Sequence, residues 1–239
     1  MGITDIFKKR QSADADQFKE TMLLALIHRL RSPLNAARWG MESAMPKDDS
    51  PEKAILKKSY NSIIDSINIV NEVLRTAEID SKEQLSQVKK EKVDICGLVD
   101  RILEELAFLV KQKHITLEYR KPSNMLICGD EKLLEIALLN LFDNAFRYSP
   151  NGKVQVSLVQ DVKHARLIIA DNGIGIDEED LGHMFEKFFR GKNAKKMDSN
   201  ESGVGLYTTK RIVEMHSGTI SIESKLARGT TVRVALPLA

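Results

Sequence analysis

The sequence has little cysteine, and its two cysteines suit neither metal binding nor a cross-linked scaffold. Cys96 and Cys128 are the only ones among 239 residues, and they show no metal-ligand spacing. A chain of this length can bury a core of its own, so a disulfide framework is not expected. These features favour a reducing compartment and predict a cytoplasmic protein.

Long apolar runs and an excess of one charge are also missing. No stretch reaches the roughly 20 apolar residues that span a bilayer, and residues 1–9 are too short and too polar for a signal peptide. The net charge is only +2, so the charge balance points neither to nucleic acid nor to an anionic membrane. We therefore expect no nucleic-acid partner and no membrane segment in this chain.

The first eighty residues do contain two apolar repeats that step by three and four residues. The first consists of Ile27, Leu30, Leu34, Ala37, Met41 and Ala44, and the second of Leu56, Tyr60, Ile63, Ile67, Val70, Leu74 and Ala77. Turn formers over residues 46–51 separate them. The pattern predicts an antiparallel helical hairpin. Two hairpins forming a four-helix bundle would bury both seams, which favours a homodimer; the alternative is a hairpin packed on the rest of its own chain.

After residue 93 the pattern changes to short alternating segments mixed with helices. Strands are predicted around residues 115–119, 154–158, 166–170, 220–222 and 232–236, and helices over residues 98–110, 131–148 and 204–216. Asp130 can cap the second of these helices, and Gly218 can end the third. The chain is thus predicted to be α+β, with helices on one face of a sheet. Its expected parts are a tail (1–13), the hairpin (14–80), a polar linker (81–92) and the second domain (93–239).

One helix of the second domain carries polar residues that packing does not explain. Asn140, Asn144 and Arg147 follow each other at i, i+4 and i+7, so they share one helical face. An asparagine carbonyl can ligate Mg²⁺, and an arginine one turn further on can neutralise phosphate. The alternative is the polar outer face of an ordinary helix.

Two glycine-containing segments follow this helix. Asp171, Gly173 and Gly175 come directly after a predicted strand. The glycines permit close backbone approach, and the aspartate can accept a hydrogen bond from an exocyclic amine such as that of adenine. Gly203 and Gly205 open a helix, whose free N–H groups attract phosphate. Taken singly, each segment can also be a plain glycine turn.

Residues 191–200 contain several lysines and little to bury. Such a segment before a helix start is typical of a mobile lid over a ligand. The alternative is a basic surface loop.

In their order and spacing these segments resemble the N, G1, F and G2 boxes of the histidine-kinase branch of the GHKL ATPases. The boxes correspond to residues 140–150, 171–176, 185–190 and 203–206. The resemblance implies an ATP site with Asn144 on Mg²⁺, Asp171 on the adenine amine and Tyr148 beside the base. Arg190 would approach the γ-phosphate. The further contacts it implies are Asn140, Arg147, Gly173, Gly175, Ile176, Lys192, Gly203, Val204, Gly205 and Leu206. Glu201 departs from the pattern, since many relatives have a glycine there.

The first helix carries His28 at the edge of its apolar seam, five residues before Pro33. Proline inside a helix costs about 3 kcal/mol and bends it. Residues 28–34, HRLRSPL, resemble the H box His-Glu-Leu-Arg-Thr-Pro-Leu at five of seven positions. The resemblance implies that His28 is the phosphoacceptor; the alternative is an ordinary surface histidine. Ser32 stands where relatives that dephosphorylate their partner have Thr or Asn.

Together the resemblances imply a histidine kinase of a two-component system, which autophosphorylates His28 and passes the phosphoryl group to an aspartate of a response-regulator receiver domain. Arg29 replaces the usual acidic residue and cannot accept a proton. Three explanations compete. Another group serves as the base, or Arg29 is an introduced substitution. In the third, autophosphorylation is weak and the chain is a phosphatase-biased or pseudokinase scaffold. A GHKL ATPase outside phosphorelay is a third function. We expect either the cytoplasmic core of a longer sensor or a kinase with a separate input protein.

Overall fold

The computed structural model describes residue 30 and residues 33–44, 51–80, 88–197 and 202–239. The chain divides into two compact units, Met1–Glu78 and Ile79–Ala239. Among the described residues, no helix combines the length and the apolar character needed to cross a membrane.

The described residues of the first unit are helical, as the apolar repeats predict. Helix α1 covers residues 33–43, and helix α2 covers Pro51–Asp80, whose last two residues belong to the second unit. Proline suits the first position of α2, because its missing N–H has no partner there in any helix. Ile67 and Val70 of the predicted seam are buried, whereas Leu30 is 51% and Trp39 61% exposed. This unit therefore presents apolar side chains to solvent.

The second unit contains two sheets. The smaller one pairs β1 (Glu91–Asp94) with β3 (Leu126–Gly129) in antiparallel register. The larger one has five strands in the order β2-β4-β5-β7-β6, with β2 parallel to β4 and the other pairs antiparallel. Its strands are β2 (Thr116–Arg120), β4 (Lys153–Gln160), β5 (His164–Asp171), β6 (Thr219–Lys225) and β7 (Gly229–Pro237).

Six helices accompany these sheets in the described part of the second unit. They are α3 (Ile95–Glu105), α4 (Ala107–Gln112), α5 (Glu131–Arg147), α6 (Glu178–Leu181), α7 (Lys192–Met197) and α8 (Gly205–Met215). The core forms where α3 and α5 pack on the larger sheet, around Leu98, Phe142, Phe146 and Val154. The predicted α+β class is confirmed.

The prediction of one helix over residues 98–110 is wrong in extent. Leu106 leaves helical geometry at ψ 2°, and its N–H bonds back to the carbonyl oxygen of Ile102, so α3 ends there and α4 begins anew. The predicted cap of α5 is confirmed, because the Asp130 side chain accepts hydrogen bonds from the N–H groups of Lys132 and Leu133. This cap fixes where α5 starts and hence which of its residues face the sheet.

Candidate functional site

Helix α5 carries its polar residues on the face predicted from their spacing. Asn140, Asn144 and Arg147 are half-buried. The opposite stripe is buried, as predicted, and consists of Leu134, Leu138, Leu141 and Ala145. Asn140 Nδ2 donates a hydrogen bond of 3.3 Å to the carbonyl oxygen of Gly205, the first residue of α8. Asn140 therefore connects the polar face of α5 to the glycine segment that opens α8.

Arg147 is already held by its own helix. Its Nε and Nη2 lie 3.1 Å and 2.8 Å from Asp143 Oδ2, one turn earlier. Both side chains are about one-third exposed. This i,i+4 pair keeps the guanidinium against α5, and a phosphate group would have to compete with Asp143 for it. Asp143 was not among the site residues predicted from the sequence.

Asp171 ends strand β5 with its carboxylate fixed by backbone groups. Its Oδ1 accepts hydrogen bonds from the N–H of Gly173 at 2.8 Å and from the N–H of Thr230 at 3.2 Å. Burial raises the pKa of this carboxyl, and the N–H groups of Gly173 and Thr230 and the Ser149 hydroxyl oppose that shift because they favour the ionised form. The geometry thus gives one carboxylate oxygen to the protein and orients the other.

The segment after Asp171 docks on the C-terminal end of α5. Ile174 N–H donates to the carbonyl oxygen of Tyr148 at 3.1 Å. A side-chain Cβ at Gly173 would come within 2.1 Å of that same oxygen and within 2.4 Å of Ser149 Oγ. Only glycine permits this approach, which places Asp171 and Tyr148 in one site.

The hairpin between β6 and β7 supports the same segment from another side. Ile176 N–H donates to Ser224 Oγ at 2.9 Å, and Ser224 Oγ donates to the carbonyl oxygen of Gly229 at 2.8 Å. Gly175 has φ +64°, and a Cβ there would lie 2.1 Å from the carbonyl oxygen of Lys225. The segment 171–176 is therefore rigidly seated. Ser224 and Gly229 were not among the predicted site residues, although a glycine at a hairpin turn is a signal that can be seen in the sequence.

The second glycine segment packs against residues 185–190. Gly203 has φ +75°, and a Cβ there would lie 2.8 Å from the carbonyl oxygen of Phe189 and 2.9 Å from Arg190 Cγ. Val204 is fully buried, and Leu206 packs against the core. Val204 and Leu206 can therefore contact a ligand only through their backbone atoms.

A mobile lid was predicted over residues 191–200, of which residues 198–200 lie outside the described part. Residues 192–197 form helix α7, which buries none of its side chains. Lys192 Nζ lies 2.8 Å from Glu179 Oε2, and Lys192 N–H donates to the buried Asp180 at 2.8 Å. Arg190 Nη2 donates to the carbonyl oxygen of Ala194 at 3.4 Å. Lys192 thus contacts α6, and the role at the phosphates that the resemblance implies for it stays a prediction.

The predicted phosphoacceptor region lies outside the described residues. This applies to His28, Arg29 and Ser32, and also to Glu201 in the last box. Their roles stay predictions.

Three segments that are distant in sequence thus meet in one arrangement. It combines a half-buried, oriented carboxylate at a strand end, a polar face of α5 and a glycine-rich entry to α8. Such an arrangement can accept a hydrogen bond from an amine at one end and bind phosphate through amides and cations at the other.

Comparison with known proteins agrees with this geometry. Residues 129–239 match the family model described as histidine kinase-, DNA gyrase B- and HSP90-like ATPase, a family whose members bind ATP. The chain is 30% identical over 215 residues to the sensor-like histidine kinase SenX3 of Mycobacterium tuberculosis, covering 88% of this chain and 52% of SenX3. It thus spans about half the length of that relative.

Solved structures that resemble the chain include those of two sensor kinases. The mycobacterial sensor histidine kinase MprB is 34% identical, with a TM-score of 0.55 over 62% of this chain and 98% of that structure. Full-length ShkA in complex with AMPPNP shares the fold at 24% identity, with a TM-score of 0.73 over 92% of this chain and 46% of ShkA.

Proposed function

We propose that this chain, which belongs to the sensor histidine kinase family, is an ATP-dependent protein-histidine kinase of a two-component system. It autophosphorylates His28 and passes the phosphoryl group to an aspartate of a response-regulator receiver domain. The observation that carries the proposal is the Asp171 carboxylate, which is oriented by two backbone N–H groups beside the end of α5.

We assign the adenine end of the site to Asp171 and Tyr148. Because Asp171 Oδ1 accepts both backbone hydrogen bonds, Oδ2 is the oxygen assigned to the adenine amine. Tyr148 caps α5 and is joined through its carbonyl oxygen to Ile174, so its side chain starts beside the same segment. This is the arrangement that would distinguish adenine from guanine, whose corresponding atom is an acceptor.

We assign the phosphate end to α5, to residues 185–190 and to the start of α8. Asn144 offers a carbonyl oxygen for Mg²⁺, and Arg147 and Arg190 offer cationic groups. In the described part of the chain no three His, Cys, Asp or Glu side chains come together as a metal site. A single asparagine ligand fits Mg²⁺, which shares its coordination with phosphates and water. When bound, the ion would neutralise phosphate charge.

The chemical step is phosphoryl transfer from ATP to nitrogen. A neutral imidazole nitrogen of His28 forms the new N–P bond, while the bond from the γ-phosphorus to the bridging oxygen breaks and ADP leaves. The imidazole then loses its N–H proton to a base. Arg29 cannot take this proton, since it is always charged and has no acceptor atom. A base other than residue 29 is therefore required.

The partners follow from the helical unit. Leu30 and Trp39 are more than half exposed, although the apolar repeat containing Leu30 is typical of a packed seam. A second copy of the hairpin would cover such side chains in a four-helix bundle. The receiver domain would dock on the same hairpin near His28.

Arg29 supports a second candidate function. Without an acidic neighbour, His28 can be a poor nucleophile, and the chain would then be a phosphatase-biased or pseudokinase scaffold that still binds ATP and its partner. The first function predicts a phosphoprotein, and the second predicts ATP binding with little phosphoprotein.

The test is to incubate the whole chain with γ-labelled ATP and Mg²⁺. Wild type should acquire an acid-labile, base-stable phosphate, and His28→Gln should acquire none. His114→Asn is the matched control: His114 is exposed and has φ 52°, which asparagine also tolerates. Steady ATP turnover without phosphoprotein would instead indicate an ATPase outside phosphorelay, and ATP binding without label would overturn the autokinase.

The variant Arg29→Glu separates the two candidate functions. Restoring an acceptor should increase the labelling rate if Arg29 limits proton removal. If wild type labels as fast as the variant, Arg29 is no obstacle and another group supplies the base.

A further inference from the structure

Asp80, the last residue of α2, lies in a cluster of cationic and hydrogen-bonding groups within the second unit. Its Oδ2 is 2.7 Å from Lys187 Nζ, and its Oδ1 is 3.2 Å from Arg211 Nε. Tyr207 donates its hydroxyl hydrogen to the carboxylate, with both oxygens at 3.0 Å. The Asp80 side chain is only 15% exposed. Such charge-assisted contacts away from bulk water are stronger than surface pairs.

The preceding residue in the sequence is also packed within the second unit. Ile79 is 2% exposed and packs with Leu133 and Ala137 of α5 and Ile212 of α8. This hydrophobic contact fixes the position from which the Asp80 carboxylate extends. The carboxylate is therefore held in place by packing as well as by its charged partners.

The partners of Asp80 come from the two segments that flank residues 191–202 in the sequence. Lys187 belongs to residues 185–190, whereas Tyr207 and Arg211 belong to α8. Lys187 Nζ also stands 5.0 Å from the centre of the Tyr207 ring. Without an anion between them, the charges of Lys187 and Arg211 would repel each other.

The same two segments meet at two further points. Gly203 packs against the backbone of Phe189 and the side chain of Arg190, and Lys210 Nζ stands 5.5 Å from the centre of the Phe185 ring. Residues 185–190 therefore contact α8 and its entry along their whole length. Asp80 supplies the negative charge in this contact.

We propose that Asp80 is a positioning residue for nucleotide binding: its carboxylate holds residues 185–190 against α8 at the spacing that the phosphates require. The inference rests on the proposed function, which places the phosphates at Arg190 and at the entry to α8. Asp80 itself touches no nucleotide. It lowers the ordering cost of binding because the two segments are already joined before ATP arrives.

The test compares ATP affinity and labelling kinetics of the whole chain for wild type and Asp80→Asn. Asparagine keeps the shape and one acceptor for Tyr207 but loses the charge that Lys187 and Arg211 share. We expect roughly tenfold weaker ATP binding and a similar rise in KM for ATP, with the labelling rate at saturating ATP little changed. Asp80→Glu should recover part of the affinity.

Glu214→Gln is the matched control. Glu214 pairs with Arg211 at 2.9 Å from the solvent side, so this variant also removes one negative charge beside Arg211 but leaves Asp80 in place. Its ATP affinity should stay within about twofold of wild type. Measurements are made well below the melting midpoint of every variant, so that a mere loss of stability does not register as weaker binding.

A double-variant cycle with Lys187→Met tests whether Asp80 acts through Lys187. If it does, the double variant binds ATP no more weakly than the weaker single variant, because both changes break one contact. Full multiplication of the two effects, or an Asp80→Asn affinity within about twofold of wild type, would overturn the inference while leaving the proposed function intact. A wild-type chain that does not bind ATP would overturn both.

Discussion

Replacing Asp171 by asparagine probes the nucleotide site most directly, because the structure dictates how the new side chain must lie. Asp171 Oδ1 accepts the N–H of Gly173 at 2.8 Å and that of Thr230 at 3.2 Å. An asparagine keeps both hydrogen bonds only if its carbonyl oxygen takes that place. Its NH₂ group then occupies the position of Oδ2 and faces the adenine amine, donor against donor.

The magnitude follows from the hydrogen bond that is lost. A hydrogen bond to a charged group contributes about 1.5–3 kcal/mol, so ATP affinity should fall roughly 10- to 100-fold. Guanine presents an acceptor where adenine presents its amine. The new NH₂ group of Asp171→Asn can donate to that acceptor. The variant should therefore lose less affinity for GTP than for ATP, and the preference for ATP should shrink.

The assay is equilibrium titration of the whole chain with ATP and with GTP. Asp161→Asn is the matched control, since Asp161 also accepts two backbone hydrogen bonds, from Lys163 at 2.9 Å and His164 at 2.8 Å, but in the β4–β5 turn. The control should bind both nucleotides as wild type does. If Asp171→Asn binds ATP within about threefold of wild type, the assignment of Asp171 to the adenine amine is refuted.

The pH dependence supplies a second readout of the same group. Burial raises the pKa of the Asp171 carboxyl, so on acidification it gains its proton before an ordinary aspartate does. The protonated form is a weaker acceptor for the adenine amine. Wild-type affinity for ATP should therefore begin to fall above the usual titration range of aspartate, about pH 3.9, and Asp171→Asn should lack this step.

Two further predictions concern stability. Gly175→Ala should destabilise the chain by at least about 1–2 kcal/mol, because Gly175 has φ +64° and a Cβ there meets the carbonyl oxygen of Lys225. Gly182→Ala is the control, since Gly182 has φ −62° and open space around it, and it should not destabilise the chain. Equal melting midpoints for the two variants would contradict this prediction. His216 accepts the N–H of Asp130 at Nε2, and burial lowers its pKa. Its contribution to stability is therefore complete above the ordinary histidine pKa of about 6.5 and declines as pH falls through the lower folded pKa. His216→Gln should lose that part of the pH dependence in denaturant unfolding, and an unchanged slope would count against it.

The sequence predicts well those elements whose periodicity and caps agree. Helix α5 begins at its predicted cap Asp130 and buries its predicted stripe, because a good N-cap and an apolar face reinforce each other. The short strands β1 and β3 were missed, since four residues are too few to establish an alternating pattern. The parallel pairing of β2 with β4 could not be predicted from the sequence either, because no local signal encodes a crossover connection.

At the site, local chemistry was predictable and long-range support was not. Asp171 and Gly175 stand out in the sequence because a strand end followed by spaced glycines is itself unusual. The residues that support this segment, Thr230 at Asp171 and Ser224 at Ile176, lie about fifty to sixty residues further along the chain. Ordinary strand residues of this kind acquire a role only when β5, β6 and β7 align, which follows from the fold as a whole.

The two ends of the proposed nucleotide site are therefore built differently. The adenine end is seated by the C-terminal end of α5 and by the β6–β7 hairpin, with a glycine wherever a side chain would clash. The phosphate end depends on residues 185–190 and α8, which are joined mainly through cationic side chains and Asp80. Helix α7, which lies between them in the sequence, buries none of its side chains. Rigid segments discriminate between ligands, whereas weakly packed segments can change conformation when a ligand binds. On the proposed assignment, base recognition would belong to the preformed part of the fold, and phosphate binding to two segments that are joined by Asp80, by the close approach at Gly203 and by the Lys210–Phe185 contact.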